Sequence, residues 1–462
     1  MLDLVKYINS LLWGFPMMIV LAGFGVFSTL YLGFPQFRRF PYAIKKVFGD
    51  IFNKKDSKEG SMSSFQSLAT AVAAQVGTGN IGGVGTAIVS GGPGAVFWMR
   101  ILAILGMSTI SVEAILAQKY RTKRNGELVG GPAYYLSLGL KEKGHKNLGK
   151  ILAVVFASLI IVALGFIGNM VQSNSISDSL NIAFGINKIL AGLFIGAIAM
   201  LVFVGGMKRI AKFAEFVVPF MAIFYIIGSI VLLINLREML IPVLKAIFQA
   251  AFSSEAVLGG TAGYAVKLAI RYGVARGLFS NEAGMGSTPN SHAVADVAHP
   301  VEQGMVAMVG VFFDTIIICS VTSLIVLTSG ANNSGAEGVN ISMTAFSQIF
   351  GINGARFLSV ALTFFAFTTI IGWYYFGESN IKYLFKNKLA INIYRTFVFI
   401  FLVLGAAVKV DLVWELADMF NGLMVIPNII GLFILIPLVK DLYRDYDKKI
   451  DENNLNYFYK YE

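Results

Sequence analysis

The sequence predicts an all-α integral membrane protein that forms one transmembrane domain over residues 1–462. Its composition is 56% hydrophobic and only 14% charged, whereas a soluble chain has about a quarter charged residues. Apolar runs of the length that spans a bilayer, about 20 residues, follow one another so closely that no soluble domain fits between them. Two of these runs are broken by glycines, and unwound backbone in lipid survives only where it is buried or lines a wet cavity.

Eleven apolar runs are predicted to be transmembrane helices from their length. They cover 13–34, 62–90, 94–118, 149–172, 183–205, 213–234, 262–290, 303–329, 354–384, 391–408 and 412–438. The seventh is the least apolar, because Lys267, Arg271 and Arg276 lie in its first half. Its position and its glycine-rich break nevertheless predict a span.

The basic residues predict the orientation of the chain. Lys and Arg are concentrated near 38–58, 119–124, 208–212 and 382–388, and in the tail at 440–449. The positive-inside rule then places the N-terminus outside and the C-terminus in the cytoplasm, and an odd number of spans requires opposite ends. The same distribution explains the net charge of +11 without nucleic acid as a partner.

The spacing of the two broken spans predicts an internal repeat. Without the span at 13–34, ten spans remain, and the broken ones are the first and the sixth. Five crossings reverse the direction of the chain, so this spacing predicts an inverted repeat of five plus five helices. The first repeat covers 62–234, and the second covers 262–408 with the last span at 412–438, before a cytoplasmic tail at 439–462. In transporters built from such repeats, the broken helices form a binding site near the middle of the membrane.

In the first break, Gly77 and Gly79 flank Thr78 and weaken the helix. Free N–H groups at the start of the following half-helix favour a carboxylate, and free carbonyl groups at the end of the preceding one favour a small cation. Gln75 and Asn80 add amide groups at the same level. Small residues also pack membrane helices closely, but packing does not require a polar cluster, so we expect a binding site.

The second break, at 279–286, contains Glu282, an ionisable residue at membrane depth. Such a residue is a functional candidate by default. The Glu282 carboxylate is expected to bind a substrate ammonium group or a cation, or else to be kept protonated by burial. The alternative is a structural ion pair with Arg276 or Lys267. Phe279 is either a wall of a small-substrate site or a core residue.

Two unbroken spans offer polar side chains for the remaining walls. Asn169 and Gln172 lie one turn apart in the fourth span, and Thr368 and Thr369 precede Trp373 by about one turn in the ninth. Adjacent hydroxyl groups suit Na⁺, a hard cation that prefers oxygen ligands, although either hydroxyl can instead bond to the carbonyl group four residues earlier. Trp373 caps the pocket or belongs to an interfacial aromatic belt, and its mid-span position favours the pocket.

Four segments of the chain, 77–81, 91–99, 130–135 and 277–284, read GTGNI, GGPGAVFWM, GGPAYY and GLFSNEAG. In this order they resemble the alanine or glycine:cation symporter family, and the resemblance covers nearly the whole chain. It implies sodium-coupled uptake of alanine or glycine across the plasma membrane of a prokaryote. It also implies a leucine-transporter-like fold with one additional N-terminal span.

The resemblance implies roles for particular residues. In the substrate site, the residues that would bind the carboxylate are Gln75, Gly77, Thr78 and Gly79. Phe279 and Trp373 would form two walls of the pocket. Those of a sodium site are two backbone carbonyl groups and two hydroxyl groups, of Ala73, Val76, Thr368 and Thr369. A second sodium site would use Asn80 and Ser280. Asn169 and Gln172 match the family's other substrate contacts by position only.

Three other functions are weighed against this one. The same scaffold driven by H⁺ would use Glu282 as the titrating group, and uptake across a pH gradient without sodium distinguishes the two. A channel needs a continuous polar stripe or rings of charge, and the sequence has mid-span breaks instead. A zinc protease needs His-Glu-x-x-His, and the sequence lacks this motif. We therefore expect neither an enzyme nor a cofactor, apart from Na⁺ as the coupling ion. Glu113 and Asp314, the other charges inside spans, are expected to pair or to gate.

Overall fold

The structure is a computed structural model, and it describes residues 2–52, 60–124, 126–252, 262–385, 387–408, 410–451 and 459. Helices make up nearly all of these residues, which confirms the all-α class. A short antiparallel hairpin, β1 (Thr122–Arg124) and β2 (Glu127–Val129), is the one sheet in the described ranges. The sequence does not predict this hairpin, which lies in one of the basic loops.

The helices that precede the second break begin with an N-terminal pair and include the first break. They are α1 (Leu2–Leu12), α2 (Phe15–Tyr31), α3 (Pro35–Arg38), α4 (Phe40–Phe52), α5 (Ser64–Gln75), α6 (Val84–Gly91), α7 (Gly94–Lys119), α8 (Pro132–Glu142), α9 (Lys146–Ile160), α10 (Asn169–Phe184), α11 (Lys188–Val204), α12 (Gly206–Asn235) and α13 (Arg237–Phe252). Two π-helical segments, Gly79–Gly83 and Ile161–Gly168, lead into α6 and α10.

The remaining helices start with the one that ends at the second break. They are α14 (Ala262–Asn281), α15 (Pro289–His292), α16 (Pro300–Val311), α17 (Ser320–Ser329), α18 (Val339–Phe350), α19 (Ile352–Leu384), α20 (Lys388–Ala407) and α21 (Val410–Asp451). A third π-helical segment, Phe312–Cys319, joins α16 to α17, and a 3₁₀ turn, Ala331–Asn333, follows α17.

Within the described residues, eight helical stretches are long and apolar enough to cross a membrane. They are Leu2–Tyr31, Gly94–Lys119, Lys146–Phe184, Gly206–Asn235, Pro300–Ser329, Ile352–Leu384, Lys388–Ala407 and Leu412–Lys449. Three predicted spans lie outside this set for clear physical reasons. α11 has only 17 residues, the first break divides α5 from α6, and basic residues interrupt α14. The count of eleven and the inverted repeat stay predictions.

The ends of the chain differ in detail from the predicted spans. The helix near the N-terminus is divided at Trp13, whose indole N–H donates to the carbonyl oxygen of Asp418, 2.9 Å away. α2 then starts with Pro16 in its first turn, a position where the missing N–H has no cost. At the other end, α21 continues to Asp451, well past residue 438, where the sequence predicts the last span to end.

The two broken helices lie inside the bundle. α5 packs against α12, α16 and α19, and α14 packs against α6 and α7. A capping box starts α5, because the Ser63 side chain accepts from the Gln66 N–H while the Gln66 side chain accepts from the Ser63 N–H. All residues of the segment 67–85 are buried, including its polar ones. Buried polar groups of this kind need partners, and those partners define the site.

Candidate functional site

The first break lies where the sequence predicts it. α5 ends at Gln75, Val76 is extended with φ −82° and ψ 91°, and the π-helical turn begins at Gly79. The change of direction leaves backbone N–H and carbonyl groups on both sides of the break without their usual helical hydrogen-bond partners. Their partners are Asn80 of the break itself, Gln172 on α10 and Thr369 on α19.

The N–H groups of the break are held by two amide side chains. The N–H of Gly77 donates to Asn80 Oδ1 at 2.9 Å, and the N–H of Thr78 donates to Gln172 Oε1 at 3.2 Å. Gln172 lies on α10, so the structure brings this predicted residue to the first break. The amide oxygens occupy the positions in which a carboxylate would accept these hydrogen bonds.

The hydroxyl oxygen of Thr369, on α19, lies among three backbone carbonyl oxygens. It is 3.0 Å from Ala73, 3.3 Å from Val76 and 3.0 Å from Phe365. A hydroxyl group has one hydrogen to donate, so two of the carbonyl oxygens face its lone pairs. The Phe365 carbonyl group also accepts from the backbone within α19, but the oxygen atoms converge as in the ligand sets that hard cations prefer.

Thr368 is placed differently, although it was predicted as the partner of Thr369. Its hydroxyl oxygen is 2.9 Å from the carbonyl oxygen of Phe365 and 3.3 Å from the sulfur of Met221. No carbonyl group of the first break contacts it in the described structure. The Phe365 carbonyl group, four residues before Thr369, lies within hydrogen-bond distance of both hydroxyl groups, so the alternative bond that the sequence left open is present for Thr369.

The second break has an unusual backbone. α14 ends at Asn281, and Glu282, Gly284 and Gly286 all have positive φ, of 59°, 88° and 78°. A positive φ is strained for a residue with a side chain and occurs readily for glycine. The two glycines therefore make the turn possible, while Glu282 is held in it by its contacts.

The carboxylate of Glu282 accepts hydrogen bonds from Trp373 and Ser287 rather than pairing with a basic residue. Its Oε1 accepts from the indole Nε1 of Trp373 at 2.6 Å, and its Oε2 accepts from the hydroxyl of Ser287. The ion pair with Arg276 that the sequence left open is not formed. Arg276 instead makes a two-pronged pair with Asp418, with both N–O distances 2.9 Å.

A second buried carboxylate, Glu113 on α7, fixes the unwound segment. Its two oxygens accept from the backbone N–H groups of Gly284 and Gly286, at 3.0 and 2.9 Å. The amide of Asn428, on α21, donates to the same carboxylate at 2.6 Å and to the Gly284 carbonyl oxygen at 2.9 Å. Glu113 thus pairs with backbone rather than with a basic side chain.

Asp314, in the π-helical segment after α16, links the two breaks. Its Oδ1 accepts from the amide of Asn80 at 2.6 Å, and its Oδ2 accepts from Ser280 at 2.9 Å and from Thr315 at 2.7 Å. The two residues predicted for a second sodium site therefore contact one buried carboxylate. The thiol of Cys319 completes this cluster.

Aromatic rings lie against the breaks. Phe279 and Trp373 are edge to face with ring centroids 6.4 Å apart, and Trp414 lies 5.5 Å from Phe279. A Cβ atom added at Gly79 would come within 3.2 Å of the Phe279 ring, and one added at Gly168 within 2.6 Å of the Trp373 ring. The glycines therefore let the backbone approach the two rings closely.

Three predicted residues keep a buried side-chain oxygen without a hydrogen-bond partner in the described structure: Gln75, Thr78 and Asn169. Gln75 donates its amide N–H to the Asn281 carbonyl oxygen at 2.7 Å, so it joins the two breaks. Asn169 donates to the Gly165 carbonyl oxygen at 3.0 Å. Unsatisfied buried acceptors are costly, and they suit a ligand that brings its own N–H groups.

Comparison with known proteins gives consistent results. Residues 1–460 match the family model described as the sodium:alanine symporter family. The sodium/alanine symporter AgcS of Methanococcus maripaludis is 42% identical, over 94% of this chain and 94% of its own length. The probable sodium/glutamine symporter GlnT of Bacillus subtilis is 39% identical, over 99% of this chain and 93% of its own length. A crystal structure of a manganese transporter variant from Eremococcus coleocola has a TM-score of 0.52 at 14% identity, over 84% of this chain and 81% of that one, which is a likeness of fold.

Proposed function

The chain belongs to the sodium:alanine symporter family, and from that premise we propose that it imports a small neutral amino acid, alanine or glycine, together with Na⁺. Family membership supports cation-coupled amino-acid transport. The identity of the amino acid and of the coupling ion is the finer part of the proposal. It rests on the geometry of the two breaks.

One observation carries the assignment of Na⁺, and it is the set of oxygens around Thr369. The hydroxyl oxygen lies within 3.3 Å of the Ala73, Val76 and Phe365 carbonyl oxygens. The single hydroxyl hydrogen of Thr369 can bond to only one of the three carbonyl oxygens at a time. Na⁺ bound among the four oxygens would interact with all of them. It would also join the end of α5 to α19.

The substrate carboxylate is proposed to bind at the N–H groups of Gly77 and Thr78. It would replace the Gln172 oxygen, which now accepts from Thr78 at 3.2 Å. The substrate ammonium group would donate to the unpaired oxygens of Thr78 and Asn169. A zwitterion brings both the acceptor and the donors that these groups lack.

The aromatic walls support a small side chain on the substrate. Phe279 and Trp373 stand edge to face across the breaks, and Gly79 and Gly168 already place backbone against both rings. A methyl group or a hydrogen fits such a space with the least rearrangement. One relative is named as a probable sodium/glutamine symporter, and glutamine would need Phe279 and Trp373 to move apart. Uptake of glutamine therefore tests whether these two rings limit the size of the substrate.

The same few residues would bind both solutes, and this accounts for coupling. The Val76 carbonyl group faces the cation position, while the Thr78 N–H group, two residues later, faces the carboxylate. Ordering the break with one solute therefore lowers the cost of binding the other. By linkage, each solute raises the affinity for the other by the same factor.

A second cation position, between Asn80 and Ser280, has support from Asp314, which supplies a negative charge there. However, the Asn80 oxygen accepts from Gly77 and its amide nitrogen donates to Asp314. This arrangement serves equally as a structural bridge between the breaks. Na⁺ at Thr369 is therefore the primary assignment.

The proton-coupled alternative rests on Glu282, which is fully buried near both breaks. Both of its carboxylate oxygens already accept hydrogen bonds, from Trp373 and Ser287. This supports a positioning role for Glu282 over a role as the coupling group. A localisation in the plasma membrane of a prokaryote, with the N-terminus outside, remains part of the proposal.

The decisive experiment is uptake of radiolabelled L-alanine and glycine into proteoliposomes. An inward Na⁺ gradient is compared with a matched K⁺ gradient and with a pH gradient in sodium-free buffer, with L-glutamine as the larger competitor. Accumulation only with Na⁺ supports the proposal. Accumulation with the pH gradient alone would favour the proton-coupled alternative, with Glu282 as its candidate group, and no accumulation of either amino acid would refute the substrate assignment.

A further inference from the structure

A basic cleft of about 650 Å³ lies where α19 ends and α20 begins, next to the β1–β2 hairpin. It shares no residue with the proposed transport site. Its charged residues are four basic and two acidic ones: Arg124, Lys382, Lys388, Arg395, Glu127 and Glu378. The cleft is on the side of the basic loops, which the positive-inside rule predicts to be cytoplasmic.

Both acidic residues of the cleft are already paired. Lys382 lies 2.9 Å from Glu127 and 2.9 Å from Glu378, and Arg395 lies 3.4 Å from Glu378. Glu378 is only 3% exposed, so its charge is enclosed by these two bases. Lys382 and Arg395 therefore neutralise the two carboxylates. Arg124 and Lys388 are the two basic side chains of the cleft that take no part in these ion pairs.

The two remaining basic side chains have no carboxylate partner in the described structure. Arg124 donates to the carbonyl oxygens of Lys382 and Tyr383, at 2.8 and 3.5 Å, at the C-terminal end of α19. Lys388 is exposed and is the first residue of α20. The cleft thus has an excess of two positive charges beside the N-terminus of a 20-residue helix, where the helix dipole also favours an anion.

An apolar groove of about 530 Å³ adjoins the cleft, and Phe385 and Asn387 line both. Its other walls are formed mainly by aliphatic and aromatic side chains of α20, of the end of α19 and of the π-helical segment Ile161–Gly168. Leu389 is 64% exposed and Ile393 48% exposed. Because α20 is apolar along a membrane-spanning length, we expect these exposed side chains to face lipid.

We propose that the basic cleft and the apolar groove together bind one anionic phospholipid of the cytoplasmic leaflet. The phosphate would lie near Arg124 and Lys388, and one acyl chain would lie along the groove. The excess of positive charge selects an anionic headgroup, and the shared wall at Phe385 joins headgroup to chain. A soluble phosphate would use the cleft and leave the groove without a role.

The test measures lipid binding to the purified full-length protein in neutral detergent, by native mass spectrometry with phosphatidylglycerol, phosphatidylcholine and inorganic phosphate as probes. We expect one retained phosphatidylglycerol and no retained phosphatidylcholine. Lys388→Gln should weaken phosphatidylglycerol binding about fivefold, the usual effect of one basic residue at an anionic surface. Ser158→Phe, which fills the groove from an exposed position, should weaken it at least as much.

Two variants serve as matched controls. Lys150→Gln removes an exposed lysine from the same predicted face, and Val154→Phe adds a ring one turn before Ser158, and neither residue lines the cleft or the groove. Both should bind phosphatidylglycerol as the unaltered protein does. Equal binding of the two lipids, or binding unchanged by Lys388→Gln, overturns the proposal. Displacement by millimolar phosphate with no effect of Ser158→Phe identifies a soluble anion and overturns it too.

Discussion

Thr369 and Thr368 are neighbours in the chain, yet only Thr369 faces the first break. Thr369→Ala should raise the Na⁺ concentration for half-maximal uptake about tenfold, because a bond to a charged group is worth about 1.5–3 kcal/mol. Thr368→Ala should change that concentration by less than about threefold, because its hydroxyl is bonded to Phe365 and to the sulfur of Met221. The measurement is alanine uptake as a function of external Na⁺.

Thr369→Ser is the conservative variant in this experiment, since it keeps the oxygen and removes only a methyl group. It should retain most of the Na⁺ affinity. Equal loss in Thr368→Ala and Thr369→Ala would contradict the assignment of the three carbonyl oxygens to a cation. So would a Thr369→Ala protein whose Na⁺ dependence is unchanged.

Glu282 gives the second test at the scale of single residues. Glu282→Gln keeps an oxygen to accept from Trp373 and an amide to bond with Ser287, so uptake should stay within about threefold of the unaltered protein. Glu282→Ala leaves the buried indole N–H unpaired, at a cost of about 1–3 kcal/mol, and should reduce uptake at least about fivefold. Kinetics in proteoliposomes give both values.

The two substitutions at Glu282 separate positioning from proton coupling. If the carboxylate carries the coupling proton, Glu282→Gln abolishes uptake as completely as Glu282→Ala does. The fluorescence of Trp373 adds a structural readout, because its indole N–H loses its acceptor only in the Ala variant. Three other tryptophans are present in the chain, so the spectra are compared as differences.

At the scale of helices, each break is held by an unbroken helix through a buried carboxylate. Glu113 on α7 binds the second break, and Asp314 binds both. Asp314 itself lies in a π-helical segment, as do the residues just after the first break and just before Asn169. Irregular helical turns of this kind are frequent at functional sites, and here they bring polar groups to one level of the bundle.

Glu113→Gln tests this bracing. The side-chain amide has only one oxygen, so its N–H₂ group must face the N–H of Gly284 or Gly286, which are both donors. We expect uptake to fall at least about tenfold and the melting temperature to fall by several degrees, since an unpaired buried donor costs about 1–3 kcal/mol. Glu238→Gln, the same change at an exposed position on α13, is the control.

The breaks are recognisable in the sequence, but their bracing is not. Glycines beside polar residues in an apolar run are a local signal, and both interruptions occur where that signal lies. The hydrogen bonds of Glu113 to Gly284 and Gly286 join residues far apart in the chain, and one sequence contains no information on such pairs. The resemblance to the family implied Ala73 and Val76, whereas the sequence could not decide between these carbonyl groups and that of Phe365 as partners of the Thr369 hydroxyl.

At the scale of the whole molecule, one ion pair connects the second broken helix to the last helix. Arg276 on α14 and Asp418 on α21 form two parallel hydrogen bonds of 2.9 Å, and each side chain is 16% exposed. The guanidinium group also lies 6.0 Å from the Phe279 ring centroid and 5.8 Å from that of Trp414. The pair therefore lies directly against the aromatic wall, on the side that the predicted orientation places outside.

This position predicts that the pair controls opening of the site towards the outside. Arg276→Gln or Asp418→Asn leaves one mostly buried charge without its partner, which costs about 3–5 kcal/mol in a buried pair, and should reduce the maximal uptake rate at least about tenfold. The exchange Arg276→Asp with Asp418→Arg should restore part of the rate. The exposed pair of Arg444 and Asp441, 71% and 69% exposed, is the control, since its neutral variants should transport normally.

The double-mutant cycle decides between a gate and a merely structural contact. The unpaired charge lowers the melting temperature in either case, so the distinguishing measurement is the access of water-soluble thiol reagents to a cysteine placed at Ala275, beside the pair. For a gate this access changes together with the maximal rate, whereas for a structural contact the rate falls and the access stays the same. Because α14 contains Phe279 and ends just before Glu282, movement of this pair would shift the aromatic wall and the second break at once. Additive effects of the two single substitutions would show that Arg276 and Asp418 act independently and would remove the gate.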